Sequence, residues 1–250
     1  MVSFFDALIL SIVQGVTEWF PISSSGHLAI AQQILGVQNL GFVVYLHFAS
    51  VLAVIILFWH DIIDLFAKKR YSYMGKLLIA IVPVAIVGLW LREHIRAAFN
   101  NILFIGIFFI IFGFYIYSTK YAKERISKPS NSDSGYIGVS QIFSLFPGIS
   151  RSGMAMGTGL ILGLKKKEAI KFSFLLAIPL IFGASLVEAR EIALADMTPL
   201  TFLTSFTVTL FISLVTINLL IKIIKSDKFY LFGIYNIIVG ISVIIWSLVG

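Results

Sequence analysis

The chain has 250 residues, of which 59% are hydrophobic and only 12% are charged, and its mean hydropathy is +0.99. A soluble domain carries about 25% charged residues, so this chain has too few solvated side chains to cover a soluble globule. Cysteine is absent, which excludes thiolate nucleophiles, disulfides and Cys-ligated metal sites. The composition predicts an all-α polytopic membrane protein. The net charge of +7 is explained by lysines and arginines whose positions fit the membrane topology described below, so no nucleic-acid partner is expected.

Taken in chain order, the apolar stretches predict six transmembrane helices and two interrupted segments. A helix needs about 20 apolar residues to cross the hydrocarbon. Stretches 4–34 and 137–164 are each broken near the middle by Pro, Gly and a run of Ser, as a pair of half-helices would be. The predicted spans are 40–60, 76–91, 100–118, 172–188, 199–221 and 230–248.

Lysine and arginine are distributed unevenly over the connections between these spans. Fifteen of the 19 lie in four alternate connections, at 68–76, 120–128, 165–171 and 222–228. The other connections hold only three, Arg92, Arg96 and Arg190. The positive-inside rule assigns the lysine-rich group to the cytoplasm. We therefore expect a multi-pass plasma membrane protein with both termini outside.

The same count predicts two re-entrant helical hairpins. Both flanks of 137–164 are lysine-rich, so this segment enters and leaves on the inside, whereas 4–34 enters from outside. The two segments share a Phe-Pro-…-Ser-x-Ser-Gly pattern, in which Ser23 and Ser150 are separated by close to half the length of the chain. This predicts an inverted-topology repeat, which places its ligand at the interface of the halves. The halves are 1–118 and 137–250, joined by a cytoplasmic linker at 119–136.

Two charged residues lie inside the predicted hairpins, Glu18 and Arg151. A charge at the bilayer centre costs about 2.5–3.5 kcal/mol on insertion scales, so such residues are functional by default. Gln14 lies one turn before Glu18, on the same helix face. The planar guanidinium of Arg151 suits phosphate oxygens. A purely structural Glu18–Arg151 ion pair is the alternative, and the two interpretations are compatible because such a pair can open for a substrate.

A serine cluster stands where each second half-helix is predicted to begin. Serine is a favoured N-cap, and helix N-termini present free N–H groups to anions. Together with Arg151, the clusters predict a phosphate site, although capping alone also explains each single serine. His27 follows the first cluster and is either a nucleophile or a base that activates Ser24. The predicted binding residues are Ser23, Ser25, Gly26, Ser150, Ser152 and Gly153.

Two motifs resemble the signatures of one family. Gln-Gly-Val-Thr-Glu-Trp-Phe-Pro-Ile-Ser-Ser-Ser-Gly-His at 14–27 and Pro-Gly-Ile-Ser-Arg-Ser-Gly at 147–153 are similar to those of the undecaprenyl-diphosphatases, the bacitracin-resistance membrane phosphatases. The resemblance implies removal of the terminal phosphate from a polyprenyl diphosphate lipid, which regenerates the carrier lipid for envelope glycans. It also implies dependence on a divalent cation and a site facing the outer side. It assigns catalysis or diphosphate binding to Glu18, Ser23, Ser24, His27, Ser150 and Arg151.

Two positions depart from the family pattern. The family commonly has a second Glu where this chain has Gln14, and a Thr where it has Ala155. The amide carbonyl of Gln14 brings no charge, so we expect Mg²⁺ or Ca²⁺ to be bound only weakly, by Glu18 and Gln14. Thr158, one turn beyond Ala155, is the expected substitute for the missing hydroxyl.

The rival interpretation is a transporter. Inverted repeats with broken helices also serve alternating access, so a protein of this plan can move a polyprenyl phosphate headgroup between leaflets without hydrolysing it. The missing carboxylate at position 14 and the missing hydroxyl at position 155 mildly favour this. The expected partners are a polyprenyl diphosphate and membrane lipids, and whether two copies form a homodimer is left open.

Overall fold

The computed structural model describes residues 2–188 and 197–249. Arg190, counted above among the external cations, lies outside these residues. Within them the chain forms twelve α-helices. They are α1 (Phe4–Thr17), α2 (Ser24–Leu35), α3 (Leu40–Leu57), α4 (Trp59–Ala67), α5 (Tyr71–Trp90), α6 (Arg92–Phe99), α7 (Ile102–Ser118), α8 (Asn131–Ile142), α9 (Arg151–Ile161), α10 (Lys166–Glu188), α11 (Pro199–Lys225) and α12 (Leu231–Val249).

Six of these helices are long and apolar enough to cross a membrane, namely α3, α5, α7, α10, α11 and α12. The all-α class and the six predicted spans are therefore confirmed. Some ends differ: α5 begins at Tyr71 rather than 76, and α10 begins at Lys166 rather than 172. In α10 helical hydrogen bonding continues beyond the apolar run because the stems of Lys166, Lys167 and Lys171 can lie along apolar surface while their ammonium groups reach water.

Each interrupted segment consists of two helices around a proline-containing break. Between α1 and α2 the break contains Pro21, and between α8 and α9 it contains Pro147, which lacks a backbone N–H. The second helix of each pair is capped by a serine: Ser23 Oγ accepts from Gly26 N at 3.3 Å, and Ser150 Oγ accepts from the equivalent amide at 3.2 Å. The insertion of these pairs from opposite membrane faces stays a prediction.

The helix α8 begins at Asn131, before the predicted hairpin boundary at 137 and inside the segment predicted as the linker. A capping box explains the earlier start. Ser130 Oγ accepts from Asp133 N at 3.1 Å, and the Asp133 carboxylate accepts from Ser130 N at 2.7 Å. Hydropathy does not report such a cap, because both residues are polar.

The second half of the chain repeats the helix order of the first. α8 and α9 follow α1 and α2 at the interval that separates Ser150 from Ser23, and α10, α11 and α12 follow α3, α5 and α7 at nearly the same interval. The packing is reciprocal as well: α1 lies on α11, while α8 lies on α5. The inverted repeat expected from the sequence would produce such reciprocal contacts, and it stays a prediction. Each broken segment thus packs on a span from the other half.

Four glycines allow α7 and α12 to cross closely. Gly106 faces Gly240, and Gly113 faces Gly233, so the two helices run antiparallel. A Cβ atom added to Gly233 would lie 2.5 Å from the backbone N of Tyr117 and 2.6 Å from the carbonyl oxygen of Gly113. Residues without a side chain let helix backbones approach to this distance, which fixes the position of α12.

We expect Gly233→Ala to lower the free energy of unfolding by about 1–3 kcal/mol, because the new methyl group meets backbone atoms that cannot rotate away. Gly183→Ala in α10 is the matched control, since a Cβ there meets nothing within 4 Å. Thermal unfolding of the purified variants in detergent measures the difference. Equal stability of the two variants would contradict the close crossing.

Candidate active site

The two breaks meet at an ion pair between Glu18 and Arg151. Glu18 directly follows α1, and Arg151 is the first residue of α9. The Nη2 atom of Arg151 donates to Oε1 of Glu18 at 2.6 Å, and 18% and 4% of the two side chains are exposed. The carboxylate is buried, whereas the guanidinium retains an exposed edge. The structure therefore brings together the two charges that the sequence singles out.

The second carboxylate oxygen of Glu18 accepts from two further donors. Ser24 Oγ donates to Oε2 at 2.6 Å, and Gln14 Nε2 donates to it at 3.1 Å. His47 Nε2 lies 3.4 Å from the same oxygen, and Gln14 Nε2 also lies 3.3 Å from Ser50 Oγ. A short hydrogen bond from a hydroxyl to a carboxylate is the arrangement in which the carboxylate can take the hydroxyl proton.

His27 does not contact Ser24 through either ring nitrogen. Its Nδ1 lies 2.8 Å from the carbonyl oxygen of Ser23, and its Nε2 lies 2.9 Å from the hydroxyl of Tyr235. The ring of Phe109 packs against it edge-to-face at 5.1 Å between centroids. The group in hydrogen-bond contact with Ser24 is therefore Glu18, and the alternative in which His27 activates Ser24 has no hydrogen bond in the structure to support it.

Three of the predicted serines join the two breaks to each other. Ser23 Oγ accepts from Gly148 N across the breaks at 3.1 Å. Ser152 Oγ lies 3.3 Å from the carbonyl oxygens of Glu18 and Trp19, and Ser150 Oγ donates to the carbonyl oxygen of Phe20 at 3.5 Å. These hydroxyls hold the backbones of the breaks together. Ser25, which lies 3.2 Å from Ser23 through its hydroxyl, is only partly buried.

The predicted glycines are sites of close approach. A Cβ at Gly26 would lie 2.7 Å from the Phe109 ring, and a Cβ at Gly153 would lie 2.8 Å from the Cβ of Pro21.

Thr158 was expected to supply the hydroxyl that the family commonly has at the position of Ala155. Its Oγ1 pairs with the Tyr115 hydroxyl at 2.6 Å, so the structure gives it a partner outside the Glu18 group.

Four polar residues in the spans contribute to the site without having been predicted. His47 and Ser50 of α3 lie at Glu18 and Gln14, and Tyr235 of α12 lies at His27. Asn236 of α12 donates to the carbonyl oxygen of Pro21 at 2.8 Å. A polar residue within an apolar span was the available signal, because such residues face the protein interior. Which site they face depends on helix packing and is not readable from the span alone.

Comparison with known proteins shows the family to which the chain belongs. The family described as bacitracin resistance protein BacA matches residues 7–242. An undecaprenyl-diphosphatase of Christiangramia forsetii is 37% identical, covering 97% of this chain and 98% of the relative. One of Methanosphaera stadtmanae is 33% identical over 100% of both chains, and one of Methanococcus vannielii is 36% identical over 96% and 99%. The chain belongs to the BacA family.

The divalent cation that this family implies does not fit the donors around Glu18. Both carboxylate oxygens already accept hydrogen bonds, and Gln14 turns its NH₂ group toward them. The Gln14 carbonyl oxygen is buried without a hydrogen-bond partner, yet Mg²⁺ and Ca²⁺ take six or more oxygen ligands. Among the described residues no three His, Asp or Glu side chains cluster. Around Glu18, the described residues therefore offer a cation the Gln14 amide oxygen and the lone pair of Glu18 Oε1 that Arg151 leaves free, which is well short of six oxygen ligands.

Glu18→Gln should lower the free energy of unfolding by about 3–5 kcal/mol, because the guanidinium of Arg151 loses its counter-charge in a largely buried place. Arg151→Gln should act similarly. The double variant should be more stable than the sum of the single losses implies, since neither charge is then left alone. Chemical unfolding in detergent supplies all three values.

Lys68→Ala is the control for this cycle, because Lys68 forms an ion pair with Asp64 at 2.6 Å on the exposed surface. Exposed pairs contribute little, so this variant should unfold like the wild type. Strictly additive losses for Glu18→Gln and Arg151→Gln would show that the two side chains do not interact.

Proposed function

We propose that the protein is an integral membrane phosphatase, which hydrolyses a polyprenyl diphosphate of the undecaprenyl type to the monophosphate carrier lipid and inorganic phosphate. The observation that carries this is the 2.6 Å hydrogen bond from Ser24 Oγ to Glu18, beside Arg151. The relatives named undecaprenyl-diphosphatase support the same reaction. A hydroxyl paired with a carboxylate favours hydrolysis over the transporter, which needs no nucleophile.

Two helix N-termini and Arg151 supply the binding site for the diphosphate. α2 begins at Ser24 and α9 begins at Arg151, and both residues contact Glu18. Each helix N-terminus is equivalent to roughly +0.5 charge and presents free N–H groups to an anion. The guanidinium has five N–H donors, so it can bind phosphate oxygens while it remains beside Glu18. The prenyl tail then lies between spans or in the surrounding lipid.

In the first step Ser24 attacks the terminal phosphorus. Glu18 takes the hydroxyl proton as the bond between Oγ and phosphorus forms. The bond from that phosphorus to the bridging oxygen breaks, and the polyprenyl monophosphate leaves. Arg151 and the helix N-termini stabilise the negative charge on the transferring group, which is the main requirement of phosphoryl transfer.

In the second step water releases the phosphate from Ser24. His27 lies three residues after Ser24, on the same face of α2, and accepts a proton from the attacking water at Nε2. The bond between Oγ and phosphorus breaks, and the Ser24 oxygen takes back the proton held by Glu18. His27 then gives the proton that it took from the water to the departing phosphate. The two steps together consume one water and produce inorganic phosphate, and Glu18, Ser24 and His27 return to their starting protonation states.

We also propose that the site faces the outer side of the plasma membrane. The lysine-rich connections that follow α4, α7, α9 and α11 are cytoplasmic by the positive-inside rule. The segment from α1 to α2 is then entered from outside, and it carries Glu18, Ser24 and His27. Both ends of the chain lie on the same outer side in this orientation.

Purified protein in detergent should release phosphate from undecaprenyl diphosphate, and Ser24→Ala should lower kcat by about 10²-fold or more because the nucleophile is lost. Ser242→Ala, an exposed serine of α12, is the matched control and should keep full activity. Released phosphate is measured with Mg²⁺, with Ca²⁺ and with EDTA. Unfolding temperatures of both variants check that the fold is kept.

Quenching the reaction in acid identifies the nucleophile. An acid-stable phosphoserine in the peptide that contains Ser24 is the expected result. An acid-labile phosphohistidine at His27 would transfer the nucleophile role to that residue. Wild-type protein that binds the lipid but releases no phosphate in any of the three conditions would contradict the phosphatase and favour the transporter.

A further inference from the structure

The hydroxyl of Tyr235 occupies the one ring nitrogen of His27 that can act as a base. A carbonyl oxygen only accepts, so the nitrogen facing Ser23 O at 2.8 Å, Nδ1, carries a proton. In the neutral imidazole Nε2 then holds the lone pair, and the Tyr235 O–H donates to it at 2.9 Å. The two rings are nearly parallel, at 15°, with centroids 5.8 Å apart.

Comparison of Tyr235 with its counterpart in the first half distinguishes the role of the ring from that of the hydroxyl. Tyr235 follows Phe108 at the interval that separates Ser150 from Ser23, and α12 is the counterpart of α7. Phe108 packs on Phe146 in the second break at 5.3 Å between centroids. Both halves therefore have an aromatic ring at this position, whereas only the ring of the second half, which lies at His27 of the first half, has the hydroxyl. Packing explains the ring and leaves the hydroxyl unexplained.

Neighbouring contacts hold α12 against the first break. Asn236 donates to the carbonyl oxygen of Pro21 at 2.8 Å, and Phe232 packs on Phe20 at 5.0 Å between centroids. Tyr235 itself is 42% exposed, so its ring can move aside without opening the core. The helix is fixed while the hydroxyl can change partner.

We propose that Tyr235 is a positioning residue of the phosphatase reaction, a proposal that rests on the proposed function. Its hydroxyl orients the His27 ring and occupies Nε2 until substrate arrives. When substrate binds, the partly exposed Tyr235 ring moves aside and its hydroxyl turns to solvent, which frees Nε2 for the water that attacks the phosphorylated serine. Tyr235 keeps its proton throughout, so it changes hydrogen-bond partner without entering the proton balance.

Kinetics of a double-variant cycle test this role. Tyr235→Phe keeps the ring and should lower kcat about tenfold, the size expected for the loss of one hydrogen bond. In a His27→Ala background the same change should have no further effect, because Tyr235 acts through that histidine. Tyr136→Phe, at an exposed tyrosine of α8, is the control. Full activity in Tyr235→Phe, or equal losses in both backgrounds, would overturn the proposal.

Chemical labelling tests the contact without relying on turnover. Diethyl pyrocarbonate acylates an unprotonated imidazole nitrogen, so His27 should react several-fold faster in Tyr235→Phe than in the wild type. Mass spectrometry of the peptides reports the rate, with the exposed His94 as internal control. Equal rates at His27 would overturn the proposal. A wild type that releases no phosphate would instead remove the proposed function, while the labelling result would still decide whether Tyr235 covers Nε2.

Discussion

The site depends on the ion pair between Glu18 and Arg151. A single buried charge in apolar surroundings is costly, and each half of the chain supplies one member of the pair, so neither half can neutralise its own charge. The serines that join the breaks, Ser23 and Ser152, place the two backbones at the distance that the pair requires. The charges therefore come together only when both halves are folded, and the N-termini of α2 and α9 come together with them.

The two breaks carry different side chains at matching positions of the sequence pattern. Ser24 and Arg151 are equivalent positions, each the first residue of its helix, and they contact the two oxygens of one carboxylate. Glu18 itself corresponds to Leu145, so the second half has no acid of its own. The two helix N-termini thus differ in their first residue, which is a hydroxyl on one side and a cation on the other.

Much of this was predictable from the sequence. Hydropathy gave the six spans, and the broken segments with their charged residues indicated the pairing of Glu18 with Arg151. The contacts of His47 with Glu18 and of Tyr235 with His27 were not predictable. Hydropathy identifies a span, but it does not show which side of that span packs against which broken segment. Gln14 donates its NH₂ group to the Glu18 carboxylate, and its expected part in holding a cation stays a prediction. The position of Gln14 in the sequence does not specify whether its NH₂ group or its carbonyl oxygen faces Glu18.

A zero-length cross-link tests the central contact most directly. In Arg151→Lys a membrane-permeant carbodiimide should join the new amine to the Glu18 carboxylate, linking the peptides that contain positions 18 and 151. Lys171 and Asp61, an ion pair between α10 and α4, should be joined in the same sample and serve as the internal positive control. The account predicts both links, with the first absent when Glu18→Gln is added. Formation of the control link alone would show that the two breaks do not meet.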